Sequence, residues 1–291
     1  MPALFPPALV PFLDVLCCPV CRARLHPGQG ALRCPDGHAF DIARQGYAAL
    51  LTGARATSGD DADMVQARMR FLAAGAYEPV REALTRLAAD ALPGPGTVAD
   101  LGCGTGHYLA GVLDRLPAAR GLGLDTSVRA LRAAVRSHPR AAAASWDVFR
   151  PFPLADRSLD LVLNVFAPRN PPEFHRVLRP SGRLIVIRPT HHHLAELRRR
   201  FPAMLTIDPA KEQRLHTALT PHFEPTDTLR VAYTTPLTPQ ESQDLLTMTP
   251  TRHPAPATPT DPGSLPGRVT VSVLATAYRP VHFCKQAACN C

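Results

Sequence analysis

The feature that most constrains the fold is a short apolar run that ends on an acid and opens into alternating glycines. The run is Thr97-Val98-Ala99-Asp100-Leu101, and Gly102-Cys103-Gly104-Thr105-Gly106 follows it directly. The pattern predicts a buried strand, a tight turn and the first turn of a helix. Because the three glycines carry no Cβ, the turn can adopt positive φ and let a flat ligand lie against the main chain. The sequence therefore predicts a nucleoside site at the end of this strand.

The glycine spacing separates two kinds of nucleotide ligand. Dinucleotide-binding loops read G-x-G-x-x-G and aim a helix N-terminus at a negatively charged pyrophosphate. Here the spacing is G-x-G-x-G with Asp100 beside it, and a carboxylate there favours the ammonium and sulfonium groups of S-adenosylmethionine. A second acid, Asp125, ends the next predicted strand and can accept hydrogen bonds from ribose hydroxyls. One glycine-rich turn alone would indicate only a tight turn, but the two acids together predict a cofactor site.

Strands and helices alternate through the rest of this region. The predicted strands are 97–101, 120–124, 141–146, 159–165 and 183–188. The predicted helices are 107–116, 127–137, 170–178 and 190–200. Two later strands, 229–235 and 268–278, should close the sheet as an antiparallel pair, with a helix at 239–248 and a proline-rich loop at 249–266 between them. The alternation indicates an α/β fold with a parallel sheet, and it resembles class I (Rossmann-like) methyltransferases.

Four residues near the start have the spacing of a metal site. They are Cys18, Cys21, Cys34 and His38. A Cys₃His set is a closed tetrahedral site, which predicts a structural zinc, and thiols in a chain without a secretion signal favour metal over disulfides. The alternative to a metal site is that these cysteines are buried free thiols. However, this stretch has too few apolar residues to form a stable core without a metal or another cross-link. Cys17 could replace Cys18 and His26 is a possible alternative ligand, although the spacing to Cys21 favours Cys18.

Composition limits the remaining function classes. The 291 residues carry a formal charge of +8, which favours a polyanionic partner, although the excess of arginine over lysine also fits a GC-rich genome. Without an 18-residue apolar run or a basic leader, we expect no membrane span and a cytoplasmic location. The predicted divisions are an N-terminal extension (1–16), a zinc-binding RNA-recognition module (17–52), a linker and helices (53–95), a methyltransferase domain (96–280) and a disordered tail (281–291).

In combination, these motifs resemble one family. They are the Cys₃His module, Phe40-Asp41 with Gly46-Tyr47, the segment from Gln66 to Tyr77, the glycine loop, Phe166-Ala167-Pro168 and Leu246-Thr247-Met248-Thr249-Pro250. From about residue 15 to residue 280, the chain is similar to the RlmA-type 23S rRNA (guanine-N1-)-methyltransferases, and within them to the branch that confers tylosin resistance. The resemblance implies rRNA processing: methylation at N1 of a guanine in the hairpin 35 loop of domain II, in the 745/748 region beside the macrolide site. It also implies antibiotic resistance.

The resemblance also implies site residues and partners. The zinc ligands are the four residues named above, and the implied cofactor contacts are Tyr77, Gly104, Thr105 and His193. Gly102 joins them as part of the loop and Asp125 on the ribose argument. The partner is 23S rRNA, whose phosphates we expect to meet the arginines of the zinc module, Arg22, Arg24, Arg33 and Arg44. Removal of zinc should unfold this module and leave cofactor affinity largely intact.

Catalysis requires a group that removes a proton, because guanine N1 is protonated at neutral pH. Asp147, after the third strand, is the candidate base, and Asn164 or the Phe166-Ala167-Pro168 turn would hold the plane of the guanine. Asp147 could instead bond to backbone amides or to the adenine amine. The aromatic residues Phe166, Trp146 and Tyr47 could each stack on an RNA base or pack in the core.

Two functions of other classes remain open at this stage. A methyltransferase for small molecules could use the same core without a basic zinc module, and a ribosome-assembly factor could bind the cofactor without catalysis. The sequence also leaves the oligomeric state open between a monomer and a homodimer.

Overall fold

The chain begins with a small antiparallel sheet. The computed structural model describes residues 5–53, 59–201, 214, 217–249 and 265–281, and a 3₁₀ helix at Pro7–Phe12 precedes the first strands. These strands are β1 (His26–Pro27), β2 (Ala31–Arg33) and β3 (Ala39–Asp41), with β2 in the middle. The predicted tail from 282 on and most of the proline-rich stretch 249–266 lie outside the described residues.

Two helices lead from this unit to the main sheet. They are α1 (Ala62–Ala73) and α2 (Glu78–Ala91). Asp61 caps α1, because its side chain accepts a hydrogen bond from the Met64 N–H at 2.9 Å. Gly75, at φ +85°, turns the chain between the helices in a conformation that favours glycine. The helices predicted for 53–95 are therefore present.

A seven-stranded sheet forms the centre of the molecule. Its strands are β4 (Gly96–Leu101), β5 (Ala119–Asp125), β6 (Ala141–Ser145), β7 (Leu159–Val165), β8 (Leu178–Pro189), β9 (Phe223–Pro236) and β10 (Arg268–Pro280). They lie in the order β6-β5-β4-β7-β8-β10-β9. The first five are parallel, and β10 and β9 are antiparallel at one edge, as predicted. The order of the parallel strands reverses at β4, where ligands of such sheets bind.

The connecting helices cover both faces of the sheet. They are α3 (His107–Arg115), α4 (Val128–Ser137), α5 (Pro171–Val177), α6 (Ala195–Arg200) and α7 (Pro239–Met248). Helices α1, α2, α3, α6 and α7 contribute to one apolar cluster, and α5 lies in the cluster on the opposite face. Among the described helices, none has the length and hydropathy that a transmembrane span requires.

Three predicted boundaries were wrong. The helix predicted at 190–200 begins only at Ala195, because Leu194 adopts φ +54° and Thr190 and His193 form a turn instead. The strand predicted at 183–188 extends from Leu178 to Pro189, because its pairing with β7 starts at Leu159 opposite Leu178. The strand predicted at 229–235 extends over Phe223–Pro236, because its pairing with β10 begins at Phe223 opposite Pro280. All three shifts move only the ends of elements, so the predicted order of strands and helices is unaffected.

The N-terminal unit is joined to the sheet through a common core. Leu9 and Phe12 of the 3₁₀ helix are fully buried in the same cluster as Leu101 and Leu122 of the central strands. Ala48 extends the sheet beyond β6: its N–H donates to Ala143 O at 3.0 Å, and its carbonyl accepts from Ser145 N–H at 2.8 Å. The predicted extension at 1–16 is therefore part of the core where it is described, and the zinc module shares its apolar interior with the main domain.

Candidate functional site

The glycine loop lies between β4 and α3 at the carboxyl edge of the sheet. Gly102, Gly104 and Gly106 have φ values of +89°, +52° and +81°. A Cβ on Gly102 would lie 2.5 Å from the Ala167 Cβ, whereas a Cβ on Gly104 would meet only the Arg68 Cδ, at 3.8 Å. The loop therefore packs tightly against the turn after β7 at its first glycine and faces open space at its second.

Two carboxylates flank this loop, as predicted. Asp125 accepts hydrogen bonds from the N–H groups of Gly104 and Ser127, both at 2.8 Å, and burial raises the pKa of its carboxyl. Asp100 is 1% exposed, and its Oδ1 has no hydrogen-bond partner within the described part of the chain. Burial and the charge of Asp125 raise the pKa of Asp100 to about 8. A buried acid without a cationic partner fits a ligand that brings its own positive charge.

Tyr77, His193 and Phe166 form an aromatic wall beside the glycine loop. We call the open space at Gly104 the cleft. Burial, with a contribution from Arg198, lowers the pKa of His193 to about 3, so the imidazole is neutral at neutral pH. Its Nδ1 accepts from the Ser272 N–H at 3.2 Å, which places the proton on Nε2, 3.2 Å from the Tyr77 hydroxyl oxygen. The Tyr77 oxygen therefore accepts a hydrogen bond from the His193 Nε2–H, and the hydroxyl hydrogen of Tyr77 remains available to a ligand.

Phe166 completes this wall in a strained conformation. Its φ of +53° is unusual for a residue with a side chain, and its ring stacks on His193 with centroids 5.8 Å apart. The side chain of Asn164 fixes the turn, because its Nδ2 donates to Pro168 O at 2.8 Å and to Leu101 O at 3.3 Å. Phe166 is 36% exposed, so part of its ring remains accessible beside the cleft.

A pair of charged residues that no local sequence pattern marks covers the loop. Arg68 on α1 donates to Asp60 Oδ2 at 2.7 Å and to Met248 O at 3.0 Å, while its Cδ lies over Gly104. The Asp60 carbonyl in turn accepts from the Ser127 hydroxyl at 2.6 Å. Arg68 and Met248 lie far apart in the sequence, so only the packing of α1 on α7 reveals this link.

The strand order does not bring the two predicted catalytic residues together. Asp147 follows β6 and Asn164 ends β7, and β5 and β4 lie between them, which corresponds to about 14 Å at the usual strand spacing. Asp147 Oδ1 accepts from the Phe149 N–H at 3.0 Å. Of the predicted stacking residues, Trp146 and Tyr47 are buried and only Phe166 has an accessible ring.

The four predicted zinc ligands converge. The ligand atoms of Cys18, Cys21, Cys34 and His38 all lie within 4.8 Å of one another. The sulfurs of Cys21 and Cys34 are 3.6 Å apart, and Cys34 Sγ is 3.2 Å from His38 Nδ1. Tetrahedral zinc with bonds of about 2.0–2.3 Å separates its ligands by roughly 3.3–3.8 Å. The residues therefore fit zinc, with Nδ1 as the histidine ligand atom.

The alternative ligands are excluded, and one arginine predicted to contact RNA binds within the protein, although its side chain remains 44% exposed. Cys17 is outside the cluster, with its thiol 3.9 Å from Val15 O, and His26 lies exposed on β1. Arg22 was expected to face RNA, but its guanidinium donates to Phe152 O at 2.6 Å and to Leu154 O at 3.1 Å. These hydrogen bonds of Arg22 link the zinc module to the loop before β7. The other three arginines of the module, Arg24, Arg33 and Arg44, are exposed.

Comparisons with known proteins agree with both parts of this description. The family model described as RlmA, N-terminal, a zinc ribbon, matches residues 16–55, and a methyltransferase-domain model matches residues 98–182. The 23S rRNA (guanine(748)-N(1))-methyltransferase of Streptomyces fradiae is 47% identical over 209 residues, which cover 71% of this chain and 74% of that protein.

Two further relatives match over most of their length. A Micromonospora griseorubida protein, provisionally named as a 23S rRNA (guanine-N(1)-)-methyltransferase, is 46% identical over 302 residues and covers 94% of this chain and 99% of its own. YxjB of Bacillus subtilis (strain 168), with the same provisional name, is 34% identical over 251 residues, or 82% of this chain and 87% of its own.

Proposed function

Because the chain belongs to the family of RlmA-type 23S rRNA (guanine-N1-)-methyltransferases, we propose that it transfers a methyl group from S-adenosylmethionine to N1 of a guanine in 23S rRNA. The structural observation that carries the proposal is the buried carboxyl group of Asp100, whose Oδ1 has no hydrogen-bond partner among the described residues, beside a glycine loop that faces open space at Gly104. A nucleoside that carries an ammonium and a sulfonium matches both features.

Different residues of the cleft would contact different parts of this cofactor. Asp100 would face its cationic part, Asp125 retains lone pairs for ribose hydroxyls, and the main chain at Gly104 and Thr105 would support the nucleoside. The Tyr77 hydroxyl, oriented by neutral His193, offers a hydrogen to an acceptor on the cofactor. The bound cofactor supplies an electrophilic methyl group, so the protein needs to orient the acceptor nitrogen in line with it.

The acceptor guanine would enter beside the turn after β7. The partly exposed ring of Phe166 offers a surface on which an unstacked base can lie, and Asn164 acts as a positioning residue because it fixes the turn. Asp147 lies at the opposite end of the parallel sheet, so we assign it to the adenine end of the cleft and not to proton removal at guanine. Because Asp147 Oδ1 also accepts from the Phe149 N–H, proton removal is the one of its three predicted roles that we do not assign to it.

The finer target follows from the Streptomyces fradiae relative, whose name specifies guanine 748. We propose the same guanine, in the loop of hairpin 35, as the target here, and resistance to tylosin-type macrolides as the consequence. The support is the 47% identity to that relative and the match of residues 16–55 of this chain to the RlmA N-terminal family model.

A labelled-transfer assay tests the function. Purified protein, cofactor labelled in the methyl group and 23S rRNA lacking this modification should give label in one guanine, blocked at N1 and visible as a stop in reverse transcription. Replacement of guanine 748 by adenine in a hairpin 35 transcript should abolish the signal. Label only in small molecules would favour a small-molecule methyltransferase, and cofactor binding without any transfer would favour a non-catalytic assembly factor.

Cofactor binding is expected to release about one proton at pH 6.5. The pKa of Asp100 is about 8 in the free protein, so its carboxyl is mostly protonated at this pH and must ionise to meet a cation. Affinity should therefore rise up to about tenfold per pH unit between roughly pH 5 and 7.5. Calorimetry in buffers of different ionisation enthalpy measures the proton directly.

The isosteric variant Asp100→Asn supplies the control for this linkage. It should bind the cofactor more weakly and without proton release.

The raised pKa of Asp100 also affects the stability of the free wild-type protein. The folded state holds the proton of this carboxyl more tightly than the unfolded state does. The resulting contribution to the free energy of unfolding is complete below about pH 3.8 and is lost as pH rises through about 8. The variant should lack this loss. An affinity for the wild type that is independent of pH would contradict the role of Asp100.

A further inference from the structure

A tyrosine hydroxyl beside the cleft lacks a partner. Tyr108 lies in the first turn of α3, two positions after Gly106, and its hydroxyl oxygen is buried without a hydrogen-bond partner among the residues that the structure describes. Burial raises the pKa of Tyr108 above its usual value, so the side chain is a neutral phenol with a hydrogen to donate. A buried hydroxyl without a hydrogen bond costs free energy, and a ligand that brings an acceptor oxygen would offset this cost.

The ring contacts of Tyr108 place it between the glycine loop and the aromatic wall. Its ring centroid lies 6.3 Å from that of Phe166, and the Tyr77 ring lies 6.2 Å from the same Phe166 ring. The turn that carries Phe166 also meets the loop, because Ala167 lies against Gly102. Both phenols therefore border the space between the loop and this turn.

Charged groups of both signs lie within electrostatic range of this phenol. Beyond burial, Arg68 lowers the pKa of Tyr108, while Asp100 and Glu78 raise it. The Glu78 carboxylate accepts hydrogen bonds from Arg81 at 2.8–3.1 Å, so its charge is compensated within α2. Asp100 is the acid whose Oδ1 has no partner in the described part of the chain. The surroundings of the phenol thus offer one acid for a cationic ligand group and one cation for an anionic group.

The amino-acid end of S-adenosylmethionine carries both kinds of group. Its ammonium and its carboxylate are attached to the same carbon atom, so a site that holds the ammonium must accommodate the carboxylate close by. Asp100 suits the ammonium but would repel the carboxylate. The donors that border the same space are the hydroxyl hydrogens of Tyr108 and Tyr77, and the Arg68 side chain lies over Gly104. A carboxylate binds such donors through charge-assisted hydrogen bonds.

We propose that Tyr108, together with Tyr77, binds the carboxylate of the cofactor's amino-acid group. This inference rests on the proposed function, because it takes S-adenosylmethionine as the cofactor. It gives Tyr108 a role in selecting a ligand with a complete amino-acid group. Arg68 adds a positive charge, while its Nε and Nη2 remain bonded to Asp60 Oδ2 and Met248 O.

The test compares S-adenosylmethionine with its decarboxylated form, which keeps the adenosine, the sulfonium and the ammonium but has no carboxylate. Calorimetry should show that the wild type binds the complete cofactor at least about tenfold more tightly than the decarboxylated form. Tyr108→Phe should bind the complete cofactor about tenfold more weakly, because it loses one hydrogen bond to a charged group. The same variant should bind the decarboxylated form as the wild type does.

Two control variants separate this effect from other causes. Tyr278→Phe removes the same hydroxyl from a buried tyrosine in the cluster on the opposite face of the sheet, and it should match the wild type with both ligands. Asp100→Asn should weaken the binding of both ligands, because both carry the ammonium.

Thermal stability supplies a second readout. Because the Tyr108 hydroxyl is buried without a partner in the described residues, Tyr108→Phe without cofactor should melt at or above the temperature of the wild type. A lower melting temperature would show that the hydroxyl is bonded within the protein, and it would overturn the proposal.

Failure of this site can be told apart from failure of the proposed function. If the wild type binds both ligands equally, or if Tyr108→Phe weakens both equally or neither, the carboxylate site is wrong and the function stands. Weaker binding of a hairpin 35 transcript by Tyr108→Phe, with both ligands bound as in the wild type, would assign the hydroxyl to the guanine and also overturn the site. If the wild type binds neither ligand, the proposed function and the site are both overturned.

Discussion

The variant Gly104→Val is expected to lose cofactor binding and methyl transfer while the protein stays folded. A Cβ on Gly104 would meet no atom closer than the Arg68 Cδ at 3.8 Å, so the new side chain would fill the open space assigned to the nucleoside. The φ of +52° adds a cost of about 1–2 kcal/mol for a residue with a side chain, more for one branched at Cβ. We expect the dissociation constant for S-adenosylmethionine to rise at least about a hundredfold, as measured by calorimetry.

Two other glycines serve as controls for this variant. Gly30, at φ +68°, also has nothing within 4 Å of an added Cβ, so Gly30→Val carries similar backbone strain far from the cleft and should keep its cofactor affinity. Gly102→Ala should lose stability as well as affinity, because its Cβ would lie 2.5 Å from the Ala167 Cβ. Normal cofactor binding by Gly104→Val would show that the nucleoside lies elsewhere.

Removal of zinc is expected to destabilise the whole chain in one transition. The N-terminal unit and the central strands share one apolar cluster, and Ala48 is hydrogen-bonded to β6, so neither part should unfold alone. Structural zinc contributes about 10–16 kcal/mol of binding free energy in small peptides. If even about 5 kcal/mol is lost here, the melting temperature should fall by roughly 10–20 °C, and cofactor affinity should fall with it. This expectation replaces the one drawn from the sequence, in which cofactor affinity was independent of the metal.

Two cysteine variants allow the effect of zinc loss on stability to be measured without a chelator. Cys34→Ala removes a ligand, whereas Cys17→Ala removes a buried thiol that lies outside the cluster. Only the first should lower the melting temperature strongly, and its rRNA methylation should be lost. Two separate transitions in Cys34→Ala, with the second at the wild-type temperature, would show that the zinc module is an independent unit.

The order of elements could be predicted from the sequence because each signal was local. The glycine loop marks the end of β4 by itself, and strand β7 was predicted with both of its ends, since the run 159–165 follows the polar segment 156–158 and stops shortly before Pro168. The zinc ligands were predicted for the same reason, because knuckle spacing depends on a few consecutive residues. In contrast, the late start of α6 depends on Leu194, whose left-handed conformation is set by contacts with β10.

The parts of the site that were missed depend on contacts between distant segments. Asp147 follows one predicted strand and Asn164 lies near the end of another, but the order of strands in the sheet, which periodicity does not encode, sets them apart. Arg22 resembles the other arginines of its module in sequence, and only the docking of that module reveals its carbonyl partners. The same holds for Arg68, whose partners come from two other segments of the chain.

The pairing of Ala48 with β6 has a consequence for the protein before it acquires metal. Strand β6 consists of four alanines and a serine, and its outer backbone groups are covered by the zinc module. An uncovered strand of small apolar residues is a template on which further chains can add, and so a site of aggregation. We therefore expect metal loading to protect against self-association, and chains produced under zinc limitation should accumulate as insoluble material while their rRNA methylation falls.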